Sequence, residues 1–366
     1  MRVYRSIPTL SIFLVILFLT SCSTRNDQTS TPSTPSQDVD LTSLPPPAET
    51  VVPQITDTAS PQISPPAASA QVVLIATDPD ADPDLFESTS DALENLASVD
   101  GLSFEVRSAM EVEQLHDGLR LVAALPPDPG LVDLANHAPQ IHFLAIGIPG
   151  LQPASNLSLI PAEDQIVAKV SFLAGYIAAV VTPDWRVGVL ASERAPSELV
   201  ARQSFQNGVI FFCGLCQLSH PPYHSYPIYA LTDSEPGEAG WKSAADDLIG
   251  RAVRTVYVTP GAADEALLAY LAGEGVQIIG HNSPPDEIRD HWIASVRVDY
   301  TQMLSNSWLE LLSGESGYLI PQLIMISNVN QELFSPGRQM LVDALLPDLM
   351  SGYIDTGISS ESGQEE

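Results

Sequence analysis

From residue 71 onward, short apolar runs alternate with longer amphipathic stretches. Runs of this length suit strands buried on both faces, and the stretches between them suit crossover helices, so the pattern predicts parallel strands joined by helices. Strands are predicted over residues 72–76, 103–106, 119–124, 141–146, 157–160, 187–191, 228–231, 255–259, 276–279, 292–296 and 319–326. Helices are predicted over 84–96, 131–137, 164–181, 197–212, 239–251, 264–273, 299–313 and 338–351. So many strands make one parallel sheet unusually wide. The expected fold class is therefore α/β, with two doubly wound Rossmann-like lobes, a hinge and a cleft between them. Lobes of this kind bind ligands outside the carboxyl ends of their strands. A length of 366 residues fits two such lobes with additional segments.

The first 70 residues follow neither period. Arg2 and Arg5 precede an apolar run over residues 7–19, too short to span a bilayer comfortably. The run ends in Leu19-Thr20-Ser21-Cys22, which resembles the bacterial lipobox. In that motif small residues admit the signal peptidase, and the cysteine thiol carries the lipid. Cleavage before Cys22 and anchoring through acyl chains on that residue are expected. Residues 23–70 are rich in Ser, Thr and Pro and nearly free of aromatics. Such a segment buries too little apolar surface to offset its ordering entropy, so an extended tether is expected, reaching on the order of 50–100 Å. The expected organisation is a signal peptide at 1–21, a tether at 22–70, lobe 1 at 71–163 plus 298–316, lobe 2 at 164–297 plus 317–356, and an acidic tail at 357–366.

Charge narrows the partners. The chain carries 15 Lys+Arg against 45 Asp+Glu, a formal net charge of −30. A surface that negative repels nucleic acid and anionic lipid. An apolar fraction of 45% is that of a globular protein.

Several blocks resemble a known family. They are Asn156-Leu-Ser-Leu-Ile160, Val170-Ser-Phe-Leu-Ala-Gly-Tyr-Ile-Ala-Ala179 and Trp185-Arg-Val-Gly-Val189. Phe205-Gln-Asn-Gly208, Asp233-Ser-Glu-Pro-Gly237, Val258-Thr-Pro-Gly261 and Val276-Gln-Ile-Ile-Gly-His-Asn-Ser283 continue the likeness. The chain is similar to the basic membrane protein family of lipoproteins, which includes purine-nucleoside receptors of bacterial ABC importers. Phe-Leu-Ala-Gly-Tyr is the specific block. The resemblance implies a type I periplasmic-binding-protein fold, in which three crossovers join the lobes. The residues have their own physical reading. Phe172, Leu173, Tyr176, Ile177 and Val180 form a core stripe at helical spacing, and small Ala174, Gly175, Ala178 and Ala179 let that helix press against the sheet.

By the same resemblance, Asp78, Phe86, Gly147, Asp233, Gly261 and Asn282 are the candidate ligand-binding residues. Phe86 is either a stacking platform for a base or a hydrophobic contact in the first turn of a helix capped by Asp84. His281 adds a polar tip beside Asn282. The sequence departs from the family at several positions that hold ribose or base. Its Asp-Gly after the fourth strand is Ile146-Gly147-Ile148, its second aromatic is replaced in Leu231-Thr232-Asp233, and its acidic loop is Gly280-His-Asn282-Ser-Pro284-Pro285. The downstream lysine is missing from Ser295-Val-Arg-Val298. The expected ligand is a nucleoside-like or other small polar or aromatic solute.

Cys213-Gly-Leu-Cys216 precedes His220 and His224. Zinc binding, a redox pair and a local disulfide all fit the residue types. The disulfide is the preferred reading, because lipidation of Cys22 leaves an even pair in an oxidising compartment. The chain has no G-x-S-x-G elbow, Walker loop or H-E-x-x-H. The expectation is a non-enzymatic, monomeric solute-binding protein without cofactor or metal. It would be lipid-anchored on the extracytoplasmic face of the membrane and serve an ABC permease and ATPase; a ligand sensor or interaction module of the same fold is the alternative.

Overall fold

The computed structural model describes residues 70–214, 218, 220–233, 240–314 and 317–358. The signal segment, Cys22, the tether up to residue 69, Cys216 and residues 359–366 of the acidic tail lie outside the described residues.

The first sheet has the order β2-β1-β3-β4-β5, all parallel. Its strands are β1 (Gln71–Ile75), β2 (Ser103–Arg107), β3 (Leu119–Ala124), β4 (His142–Ile146) and β5 (Leu157–Ile160). Successive residues of β1 serve opposite faces, as the two-residue pleat requires. Val72 and Leu74 join a core with Leu93 of α1 (Pro83–Val99) and with Leu304 and Trp308 of α7 (Tyr300–Ser313). Val73 and Ile75 join Leu131 and Leu134 of α2 (Leu131–His137) on the other side.

The second sheet has the order β11-β10-β9-β8-β6-β7. It comprises β6 (Val187–Ser192), β7 (Ile228–Thr232), β8 (Thr255–Val258), β9 (Gln277–Gly280), β10 (Trp292–Val298) and β11 (Ile324–Ser327). One face is covered by α3 (Val167–Val181), α4 (Pro196–Cys213) and α8 (Pro336–Ser351), the other by α5 (Trp241–Gly250) and α6 (Glu265–Gly273). Most strands of both sheets form near-continuous apolar runs because both faces are covered, the exposed edge strand β2 being an exception.

The chain crosses between the sheets after β5, after β10 and again between α7 and β11. The last crossing corrects one expectation. The apolar run at 319–326 is not one strand: Leu319 pairs with Leu159 beside β5, whereas Ile324–Ser327 joins the other sheet. Because this segment arrives from the first lobe without a crossover helix, β11 runs antiparallel to β10.

Two local expectations also change. Asp82, not Asp84, caps α1 by accepting from Leu85 N–H at 3.1 Å, with Pro83 at the first helical position. Asp84 is thereby free for another role. Gly175 presses against α4 and not against the sheet: a Cβ there would lie 2.0 Å from the Phe205 carbonyl oxygen. Gly208 returns the contact, its Cβ position falling 2.0 Å from the Phe172 carbonyl oxygen. The two helices thus touch backbone to backbone, a separation only glycine permits.

Candidate functional site

A cavity of about 310 Å³ opens where the carboxyl ends of the two sheets face each other. Each lobe contributes side chains for a structural reason. The first turn of α1 supplies Asp84 and Ser88, and the crossover after β5 supplies Glu163. The end of β9 supplies His281 and Asn282, β10 supplies Arg297, and the N-terminus of α7 supplies Asp299, Tyr300 and Gln302.

Asp84 spans the cleft. Its Oδ2 accepts from Ser283 N–H at 3.1 Å and from Arg297 Nη1 at 3.2 Å, linking α1 of one lobe to β9 and β10 of the other. Glu163 makes a second link, its Oε1 lying 3.1 Å from His281 Nδ1. Glu163 keeps 28% of its side-chain surface exposed, yet it is recessed enough among protein atoms that desolvation lifts its pKa above the ordinary 4.5. His281 and Arg297 pull that pKa down, and the negative charges of Asp82 and Glu198 reinforce the rise. Burial likewise raises the Tyr300 phenol, aided by Glu163 and Asp82. Asp82 and Asp299 also line the cavity, each spending one carboxylate oxygen on a helix cap.

The sequence-predicted residues divide. Asn282 lines the cavity, and its carbonyl accepts from Ser295 Oγ at 2.8 Å. Gly147 is outside the lining but adjoins Tyr300, which is in it: φ is +68°, and a Cβ would lie 3.4 Å from the Tyr300 hydroxyl. The other four are not part of the lining either. Asp78 is exposed in the turn before α1, where its carbonyl accepts from Ala81 N–H. The Phe86 ring packs against the hydrophobic core, which is the helical-turn reading of that residue. Asp233 follows β7 and lines a separate outer depression with Glu193 and Arg251. Gly261 donates its N–H to Glu198 Oε1 at 2.8 Å, so this amide is committed to the protein.

Arg297, Asp84, Glu163 and Tyr300 were absent from the predicted set. One signal was available: Arg297 is the one charged residue in its strand, in a chain with only 15 Lys+Arg. Cys213 is disulfide-bonded, and its expected partner Cys216 lies outside the described residues. Among the described residues no group of three or more His, Cys, Asp and Glu is arranged to hold a metal ion. None of their helices is long and apolar enough to cross a membrane.

No protein-family model matches the chain, and no curated protein matches it. Solved structures do. An ABC transporter system solute-binding protein from Conexibacter woesei DSM 14684 is similar at 18% identity and a TM-score of 0.61, over 78% of this chain and 98% of that one. A transcriptional activator of the comK gene from Bacillus halodurans is similar at 13% identity and a TM-score of 0.55, over 78% and 99%. An ABC transporter system solute-binding protein from Aeropyrum pernix K1 is similar at 14% identity and a TM-score of 0.51, over 78% and 92%. At these identities the likeness establishes the fold: two α/β lobes of the type I periplasmic-binding-protein kind.

Proposed function

We propose that this chain is a solute-binding protein that captures one small polar molecule between its lobes by hinge closure and delivers it to an ABC permease and ATPase. The observation that carries this reading is the cavity itself. It lies at the carboxyl ends of both sheets and is lined by polar side chains from both lobes and from the crossovers. A ligand there gains contacts from both lobes only when they close, so binding and closure are linked. Two solved solute-binding proteins share the fold and support the reading. The proposal includes attachment to the extracytoplasmic face of the membrane through lipid on Cys22, with the Pro-rich tether as spacer, and a monomeric working state. It also retains kinship with the basic membrane protein family, carried by Phe172-Leu-Ala-Gly-Tyr176. Catalysis is not part of it: the cleft groups fit recognition and no nucleophile–base pair is assigned.

The test is native mass spectrometry of the full-length chain after exposure to a small-molecule extract. One discrete adduct at one-to-one stoichiometry, together with a raised melting temperature, is the expected result. A chain that emerges empty and thermally unchanged overturns the proposal.

A further inference from the structure

The cleft already holds a carboxylate oxygen. Asp84 Oδ2 lies between the Arg297 guanidinium and the Ser283 amide, where donors of the second lobe converge. Arg297 is not exhausted by this contact. Its Nη1 serves Asp84 and its Nε is closed off by protein, while 20% of its side-chain surface stays exposed where it lines the cavity. A guanidinium presents several donors, and a carboxylate matches its fork best. A purely anionic ligand nevertheless meets Asp82, Asp84, Glu163 and Asp299 in the same cavity. A purely cationic one satisfies those carboxyl groups but offers nothing to Arg297.

We infer that the cleft takes a zwitterionic, α-amino-acid-like solute, its carboxylate on Arg297 and its ammonium among Asp82, Asp84 and Glu163. Asp84 stands in for the ligand carboxylate while the cleft is empty and becomes a partner of the ammonium when it is filled. This inference rests on the proposed solute-binding role and deepens it. A neutral nucleoside supplies neither pole, in keeping with the altered ribose loop at Gly280-His-Asn282.

The test uses the full-length chain and titration calorimetry with L-α-amino acids. The matched amines lacking the carboxylate, the matched acids lacking the amine, adenosine and ribose serve as controls. At least one amino acid should bind, and removing either charged group from it should weaken binding at least about tenfold. Arg297→Lys, which keeps the charge but loses the fork, should weaken it by a similar factor. Because the comparison of matched probes is made on the unaltered protein, it does not depend on a variant folding. Tight binding of adenosine or ribose with indifference to amino acids overturns the zwitterion while leaving solute binding intact. Indifference to these probes with an adduct from the extract does the same. Equal affinity for an amino acid and its decarboxylated amine removes Arg297 from the role.

Discussion

Glu198 shows how a buried charge is accommodated beside the cleft. Its side chain, on a residue only 6% exposed, accepts from Ser192 N–H, Gly261 N–H and the Thr259 hydroxyl, tying α4 to the ends of β6 and β8. Glu198→Ala strands two backbone donors and should lower stability by roughly 2–4 kcal/mol, read by urea denaturation. Glu163 behaves differently, because its pKa in the folded protein is raised. A group of this kind favours the folded state below the unfolded value near 4.5 and loses that contribution as pH rises through its elevated folded value. Glu163→Gln should therefore resemble the wild type in stability at pH 4 and gain on it by pH 7, in paired denaturation curves. An unchanged difference across that range contradicts the desolvation assigned to Glu163. Single residues were the least legible scale. Asp84, Glu163 and Arg297 meet in space although long stretches of chain separate them, and nothing in local spacing records such a meeting. Asn282, taken from the family resemblance, lines the cavity in the loop just after β9. Phe86 was ambiguous because a first-turn aromatic faces core or cleft according to a helix rotation the sequence leaves open.

Elements were far more legible, since burial on both faces writes most strands as apolar runs, though not the exposed edge strand β2. The run at 319–326 misled for a physical reason: the crossover is apolar in sequence although Leu319 is exposed, and it pairs with β5 at one end and β10 at the other, so composition alone reads it as one strand. The Phe172-Leu-Ala-Gly-Tyr176 block shows a second limit. Its small residues announced a close approach, but only the structure identifies α4 as the partner of Gly175. The reciprocal seating of Gly175 and Gly208 yields a direct expectation. Gly175→Ala or Gly208→Ala pushes a methyl into a carbonyl oxygen 2.0 Å away and should cost at least about 2 kcal/mol, seen as a fall in Tm. Alanine at Gly250, which meets nothing within 4 Å, serves as the matched control. Gly280 belongs to the same class but borders the cleft. A Cβ there would lie 2.1 Å from the Trp292 ring, so Gly280→Ala should displace β9 against β10 and weaken ligand binding as well as stability.

At the scale of the molecule, two lobes connected by three crossings are held across their cleft by contacts of the protein's own making. The fold class was legible because strand number and spacing exclude one sheet. The ligand was not, because type I lobes carry different solutes on the same scaffold and specificity lies in a few loop and strand-end side chains. Closure as the working motion makes Asp84 the point to test. Asp84→Ala removes the cross-lobe bond to Ser283 N–H and the ion pair to Arg297, so the empty protein should open. Hydrogen exchange should then accelerate in the segment 281–285, which carries the Ser283 amide, and slow again when solute is added. The most direct measurement is small-angle X-ray scattering of the wild type and Asp84→Ala, each with and without the solute that native mass spectrometry identifies. Expansion of the empty variant is expected, with a return to wild-type dimensions at a solute concentration that saturates it, higher than the wild type needs because Asp84 is itself a ligand partner. A variant whose scattering matches the wild type when empty, and does not change when saturated, contradicts closure of the lobes around a captured solute.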